Sequence, residues 1–201
     1  MPSRASIPDT RDHGPRPGLF DTGVDVWRYL LIIPPSPPVR QAVGRIKDQL
    51  AQCIGPYKNR QAQAHITLLF AYLPAVHERD LCHAITQGVK GHSPFPVRLH
   101  GFGHFPDRRS IHVEVQDPAP ILRLRRDLLQ HIRSYLRLKR LGIHATSAIR
   151  LIVAKLPPEK FGAAWAALEG TIDQVEQVDE LHLLRGDQRT GTYTTVATFR
   201  L

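Results

Sequence analysis

Apolar residues in this chain of 201 residues fall in short blocks closed by Pro and Gly, and two periods alternate along it. The run WRYLLII, Trp27 to Ile33, predicts a buried strand stopped by Pro34 and Pro35. Val39, Val43, Ile46, Leu50 and Cys53 then recur at helical spacing until Gly55 and Pro56 break the pattern. His65 to Tyr72 reads as a second strand, and Pro74 opens a helix that reaches Val89. Phe95 to Phe105 and Ser110 to Val115 read as a hairpin turning at Pro106 and Asp107. A long helix from Pro118 to about Arg140 carries an apolar stripe of Leu124, Leu128, Ile132 and Tyr135. Arg150 to Lys155 predicts a short strand, followed by a Pro-initiated helix bearing Phe161, Trp165 and Leu168. Single strands from Gln174 to Leu184 and from Gly191 to Leu201 close the chain.

Strands and helices mix without strict alternation around a central hairpin, which implies an α+β fold with antiparallel sheet. HITLLFAYLP and IRLIVAKLPP (Ile149 to Pro158) echo one another: each is an apolar strand, a Leu-Pro and a helix. That echo predicts a pseudo-symmetric pair of lobes. Residues Met1 to Gly23, rich in Pro, Gly, Arg and Asp, read as a flexible N-terminal tail, so the ordered domain spans residues 24–201.

The segment HITLLF holds the first candidate chemistry. Side chains alternate along a strand, so His65, Thr67 and Leu69 are expected on one face and Ile66, Leu68 and Phe70 on the other. A proton carrier and a hydroxyl would then stand side by side on a rigid element.

Charge narrows the partners. A net charge of +9 and a pI near 10.1 favour anionic ligands such as nucleic acid or phosphorylated metabolites. Cys53 and Cys82 form no ligand spacing and read as reduced thiols of a cytoplasmic protein. No apolar leader is visible, and the run Tyr29 to Ile33 is too short to span a bilayer. Arg123, Arg126, Arg133, Arg137 and Arg140 share one face of the long helix, read as solvated surface in preference to a nucleic-acid track. His100, His104 and His112 lack a carboxylate or Cys to complete a set, so no metal site is expected. Phe105 and Tyr193 are read as packing residues before base-stacking ones.

From Trp27 to Leu201 several features in order are similar to one family. They are YLLIIPPSPP, HITLLF, FPVRLHGFGHFP with SIHVEVQ, the strand-Leu-Pro-helix unit after Arg150, and VDELHLLRG with YTTVATFRL. The chain resembles the 2H phosphoesterases, in particular the bacterial RNA 2′-5′ ligase and 2′,3′-cyclic phosphodiesterase branch. The resemblance implies two lobes, each contributing a His-x-Thr/Ser signature to a cleft, with no metal or other cofactor. One His deprotonates the attacking group, the other protonates the leaving oxygen, and the hydroxyls bind phosphate. It also implies RNA ends or small cyclic phosphodiesters as substrates. We expect a monomer.

The first signature carries over to His65 and Thr67. At the second, the chain reads Arg150 and Ile152. Arg stays protonated, so it is no general base, yet its guanidinium grips phosphate with paired hydrogen bonds. Losing one of two acid–base groups costs on the order of 10²–10⁴ in rate. Three outcomes are open: a substitute carrier, with His144 and Thr146 first and His112 or His182 behind them; turnover on His65 alone with Arg150 as phosphate clamp; or a non-catalytic RNA- or nucleotide-binding module.

Overall fold

The computed structural model describes residues 26–105, 107, 109–136, 142–146, 148–168, 170–187 and 191–201. The expected tail lies outside the described residues, as do Pro106, Arg137 and Arg140. The elements are β1 (Val26–Ile33), α1 (Pro37–Ile54), β2 (Ile66–Pro74), α2 (Glu78–Val89), β3 (Phe95–His104), β4 (Ser110–Gln116) and α3 (Ala119–Leu136). They continue as β5 (Gly142–Ala145), β6 (Arg150–Lys155), α4 (Pro158–Ala166), β7 (Asp173–Val178), β8 (Glu180–Gly186) and β9 (Tyr193–Arg200). Pro74 ends β2, and a 3₁₀ turn, Ala75–His77, leads into α2.

Every ladder is antiparallel, and the strand order is β7-β3-β4-β6-β2-β1-β8-β9. This is the α+β architecture the pattern implied, arranged as two four-stranded halves of one continuous sheet. α1 and α4 pack on the half ending in β6, and α2 and α3 on the half beginning with β2. The halves meet at β6 and β2 through the single pair Leu151–Ile66. β5 also lies on β2, further along it, with Phe70 opposite His144.

The expected strand from Gln174 to Leu184 is two strands. β7 pairs with β3 and β8 with β1, with only Asp179 between them. In the strand order they stand six positions apart, about 29 Å in a flat sheet, whereas the two-residue link spans at most about 7 Å. The sheet therefore curls. Its outer face carries the helices: Val43, Leu50, Leu81, Ile85, Leu124, Leu128 and Phe161 share a core with Tyr29, Leu31, Ile66, Leu68 and Leu151. Among the described residues no helix covers the inner face, where Leu30 and Ile32 are 7% and 5% exposed.

The alternation expected across HITLLF fails at one point. Leu31 pairs with Leu69 and Ile32 with Thr67, so Leu68 is an extra residue, a β-bulge. Leu68 and Leu69 both enter the core, while Phe70, like Thr67, stays out of it. A distant hydroxyl meets the bulge. Thr146 Oγ donates to Thr67 O at 2.9 Å and lies 3.3 Å from Leu68 O, which also takes the Thr146 N–H.

A second tie spans the curl. The backbone N–H and the hydroxyl of Ser36, just after β1, donate to the two carboxylate oxygens of Glu176 on β7 at 2.7 and 2.6 Å. Glu176 is buried, so removing its carboxylate leaves the Ser36 donors unmet. We expect Glu176→Ala to cost about 2–4 kcal/mol, read as a lowered urea midpoint, with Glu176→Gln costing less.

Candidate active site

The inner face where the halves meet is built strand by strand. β4 and β6 pair His112 with Ile152 and Glu114 with Arg150. Continuing the register from Ile66–Leu151 sets Thr67 beside Arg150 and His65 beside Ile152. Paired residues share a face, so two rows cross the junction: His112–Ile152–His65 and Glu114–Arg150–Thr67. β1 extends the second row through Ile32 to His182 on β8.

His65 stands one residue before β2, half-buried, with Nδ1 3.0 Å from Gln63 O. The contact fixes the tautomer. Nδ1 donates to the carbonyl and Nε2 keeps its lone pair. Burial pushes the imidazole below its ordinary pKa; the Gln63 bond opposes this, and the Lys47 and Lys155 ammoniums add to it. The neutral imidazole is therefore favoured at His65.

The loop before His65 completes the seam where β2 has not yet begun. Asn59 donates to Val153 O at 3.3 Å and accepts from the Lys155 N–H at 2.6 Å, imitating a strand partner for β6. Lys47 Nζ holds the same loop by Asn59 O at 3.1 Å and Ala62 O at 2.5 Å.

Arg150 lies against β4. Its Nη1 donates to His112 Nε2 at 2.5 Å and stands 3.7 Å from Glu114 Oε1, and its guanidinium carbon is 4.8 Å from the Phe105 ring centre. Glu114 Oε1 also approaches His112 Nε2, at 3.0 Å. That nitrogen has one position to offer, so Arg150 and Glu114 compete for it. Burial, first among the causes, keeps the fully enclosed His112 below its ordinary pKa; Glu114 raises it and Arg150 lowers it. Its Nδ1 is buried without a partner among the described residues.

These neighbours also explain Gly103, which faces His112 across the β3–β4 ladder. A methyl there would overlap the Glu114 carboxylate and lie 2.6 Å from His112 Nε2. Sequence reading weighed His112 but passed over Glu114 and Gly103. The signal was present: His112 and Glu114 are two apart on a strand and so share a face, and a Gly on the paired strand leaves them room.

The model of the 2′-5′ RNA ligase superfamily matches residues 34–190. The chain belongs to that superfamily. Known structures share the fold of this superfamily member. The Escherichia coli LigT apo form has a TM-score of 0.65 at 15% identity, covering 88% of this chain and 98% of its own. TT0787 of Thermus thermophilus gives 0.61 at 22% identity, covering 87% and 97%. E. coli LigT complexed with 3′-AMP gives 0.59 at 16% identity, covering 88% and 99%. No curated protein matches the chain.

The remaining candidates of this superfamily member make other contacts. His144 is exposed on β5, stacked on Phe70 at 4.9 Å, and the Thr146 hydroxyl is engaged by the bulge. His182 Nε2 meets Glu180 at 2.8 Å. His100 sits near Asp173 and His104 against Phe161 and Trp165, and no cluster of metal-binding side chains forms among the described residues. Phe105 packs under Arg150, while Tyr193, expected in the core, is 39% exposed. Arg123, Arg126 and Arg133 lie exposed along α3. Among the described residues no helix is long and apolar enough to cross a membrane.

Two outcomes test this geometry. Lys155→Gln removes one of the cations acting on His65, so the imidazole midpoint followed by NMR should rise toward its ordinary value while staying below it, because burial persists. Gly103→Ala should destabilise by about 1–3 kcal/mol in thermal unfolding through overpacking against His112 and Glu114.

Proposed function

We propose that this superfamily member opens 2′,3′-cyclic phosphates at RNA ends without a metal, using His65 as its single proton carrier. The observation that carries the reading is the register at the junction of β2 and β6, which sets His65, Thr67 and Arg150 on one face. Water binds above His65 Nε2. As its oxygen forms a bond to phosphorus, its proton passes to Nε2 and the bond from phosphorus to one ribose oxygen breaks. The Thr67 hydroxyl and the Arg150 guanidinium hold the non-bridging oxygens. The product is a phosphomonoester. The imidazolium, disfavoured by burial and by its lysine neighbours, returns its proton through solvent to the freed ribose oxygen.

Arg150 supplies charge, not a proton. When it leaves His112 for the phosphate, the neutral imidazole can move its proton from Nδ1 to Nε2 and donate from there to Glu114 Oε1. His144, stacked on Phe70 beside the bulge, takes no part in this reading.

The deciding assay incubates the protein with EDTA and an oligonucleotide ending in a 2′,3′-cyclic phosphate. Wild type should turn over, His65→Ala should not, and Arg150→Ala should lose about 10²–10³ in kcat. Salt-sensitive binding with no turnover in any variant would establish the non-catalytic binding module instead. The pH profile separates one carrier from two. kcat/KM should rise through a single limb below His65's ordinary pKa of about 6.5 and then stay level, since no second proton carrier takes part. A bell-shaped profile would reveal a second proton carrier.

A further inference from the structure

Beside the His65 loop lies a groove of about 390 Å³, between α1 and the chain at residues 60–64. Arg40, Gln41, Lys47, Arg60, Gln61 and Gln63 line it. Its charge is unbalanced. Asp48 is the carboxylate among the described lining residues, and Arg60 holds it at 3.3 Å. Lys47 is 4% exposed and has no ion pair among the described residues. An ammonium has three N–H donors, and carbonyls account for two of Lys47's. A buried cation left uncompensated is costly, and burial does pull the Lys47 pKa down. An anion in the groove would meet the third donor, with Arg40 and the free side of Arg60 at its rim.

The groove and the proposed reaction centre are linked through one residue. Gln63 lines it, and the Gln63 carbonyl is the group that orients His65. We propose that this groove binds a second phosphate, a backbone phosphodiester of the same RNA strand whose end lies at His65. The RNA part rests on the function proposed above; the anion site itself rests only on Arg40, Lys47 and Arg60. Such a site makes an oligonucleotide a better ligand than a mononucleotide carrying the same terminal phosphate.

The test uses the full chain and binding, so it works whether or not the protein turns substrate over. A labelled oligoribonucleotide ending in a 3′-phosphate is titrated by fluorescence anisotropy, and a nucleoside 3′-monophosphate is measured by competition. Arg40→Gln with Arg60→Gln should weaken the oligonucleotide about tenfold at low salt and leave the mononucleotide unchanged. Two phosphate-directed charges fewer should make the slope of log K against log salt shallower by about 1.4. Lysines at both positions should restore both values. An unchanged oligonucleotide affinity, or equal losses for both ligands, overturns the proposal. Inorganic phosphate, followed by amide NMR shifts at Gln61 and Gln63, separates the two sources of the anion. A response abolished by the double substitution, without any oligonucleotide preference, would assign the groove to free phosphate and overturn the strand-binding claim. Loss of oligonucleotide binding in the variant of a protein that hydrolyses no cyclic end would leave the groove standing and refute the proposed hydrolysis.

Discussion

The two halves of the sheet touch through one strand pair, Ile66–Leu151, and everything proposed for the site depends on that seam. A single pair is a weak hinge, and side chains lengthen it in both directions. On one side, Asn59 bonds to Val153 and Lys155 as a further strand residue would. On the other, Thr146 clasps the carbonyls of Thr67 and Leu68. Lys47 then anchors the Asn59 loop from below by its carbonyls. His65 belongs to one half and Arg150 to the other, so their separation is only as rigid as these polar staples. The Ser36–Glu176 contact closes the far side of the curl and resists splaying of the same halves.

Much of this was legible in the chain. The strand at HITLLF, the central hairpin, and the echo between the segments around His65 and Arg150 are local patterns, and local periodicity is what a sequence displays. The illegible parts were set from far away. The bulge at Leu68 answers to a hydroxyl 78 residues on, so strict alternation misplaced Leu69 and Phe70. The break at Asp179 falls inside an apolar-polar run that reads as one strand. What divides it is the choice of partners, β3 for one piece and β1 for the other. β5 is four residues long, too short for its pattern to rise above a loop.

Within the site, residue types were easier to read than their company. His65, Thr67 and Arg150 stood out because a family pattern has positions for them. Glu114 and Gly103 did not, because their meaning lies across ladders: Glu114 opposite Arg150, Gly103 opposite His112. A strand residue two away and a small residue on the neighbouring strand form a recognisable signal only once the pairing is known.

That company bears on what Arg150 is for. A guanidinium left over in a merely eroded site would lack partners for its donors and its flat face. Here it has an aromatic ring at 4.8 Å, an imidazole nitrogen at 2.5 Å and a carboxylate oxygen at 3.7 Å. Gly103 leaves open the space that the carboxylate and imidazole occupy. The competition between Arg150 and Glu114 for one nitrogen means that Arg150 can leave without stranding it, which suits a group that must move to an arriving anion. The surroundings are those of a supported cation. The two halves thus bring unlike groups to the seam: an imidazole kept below its usual pKa on one side, and a guanidinium on the other.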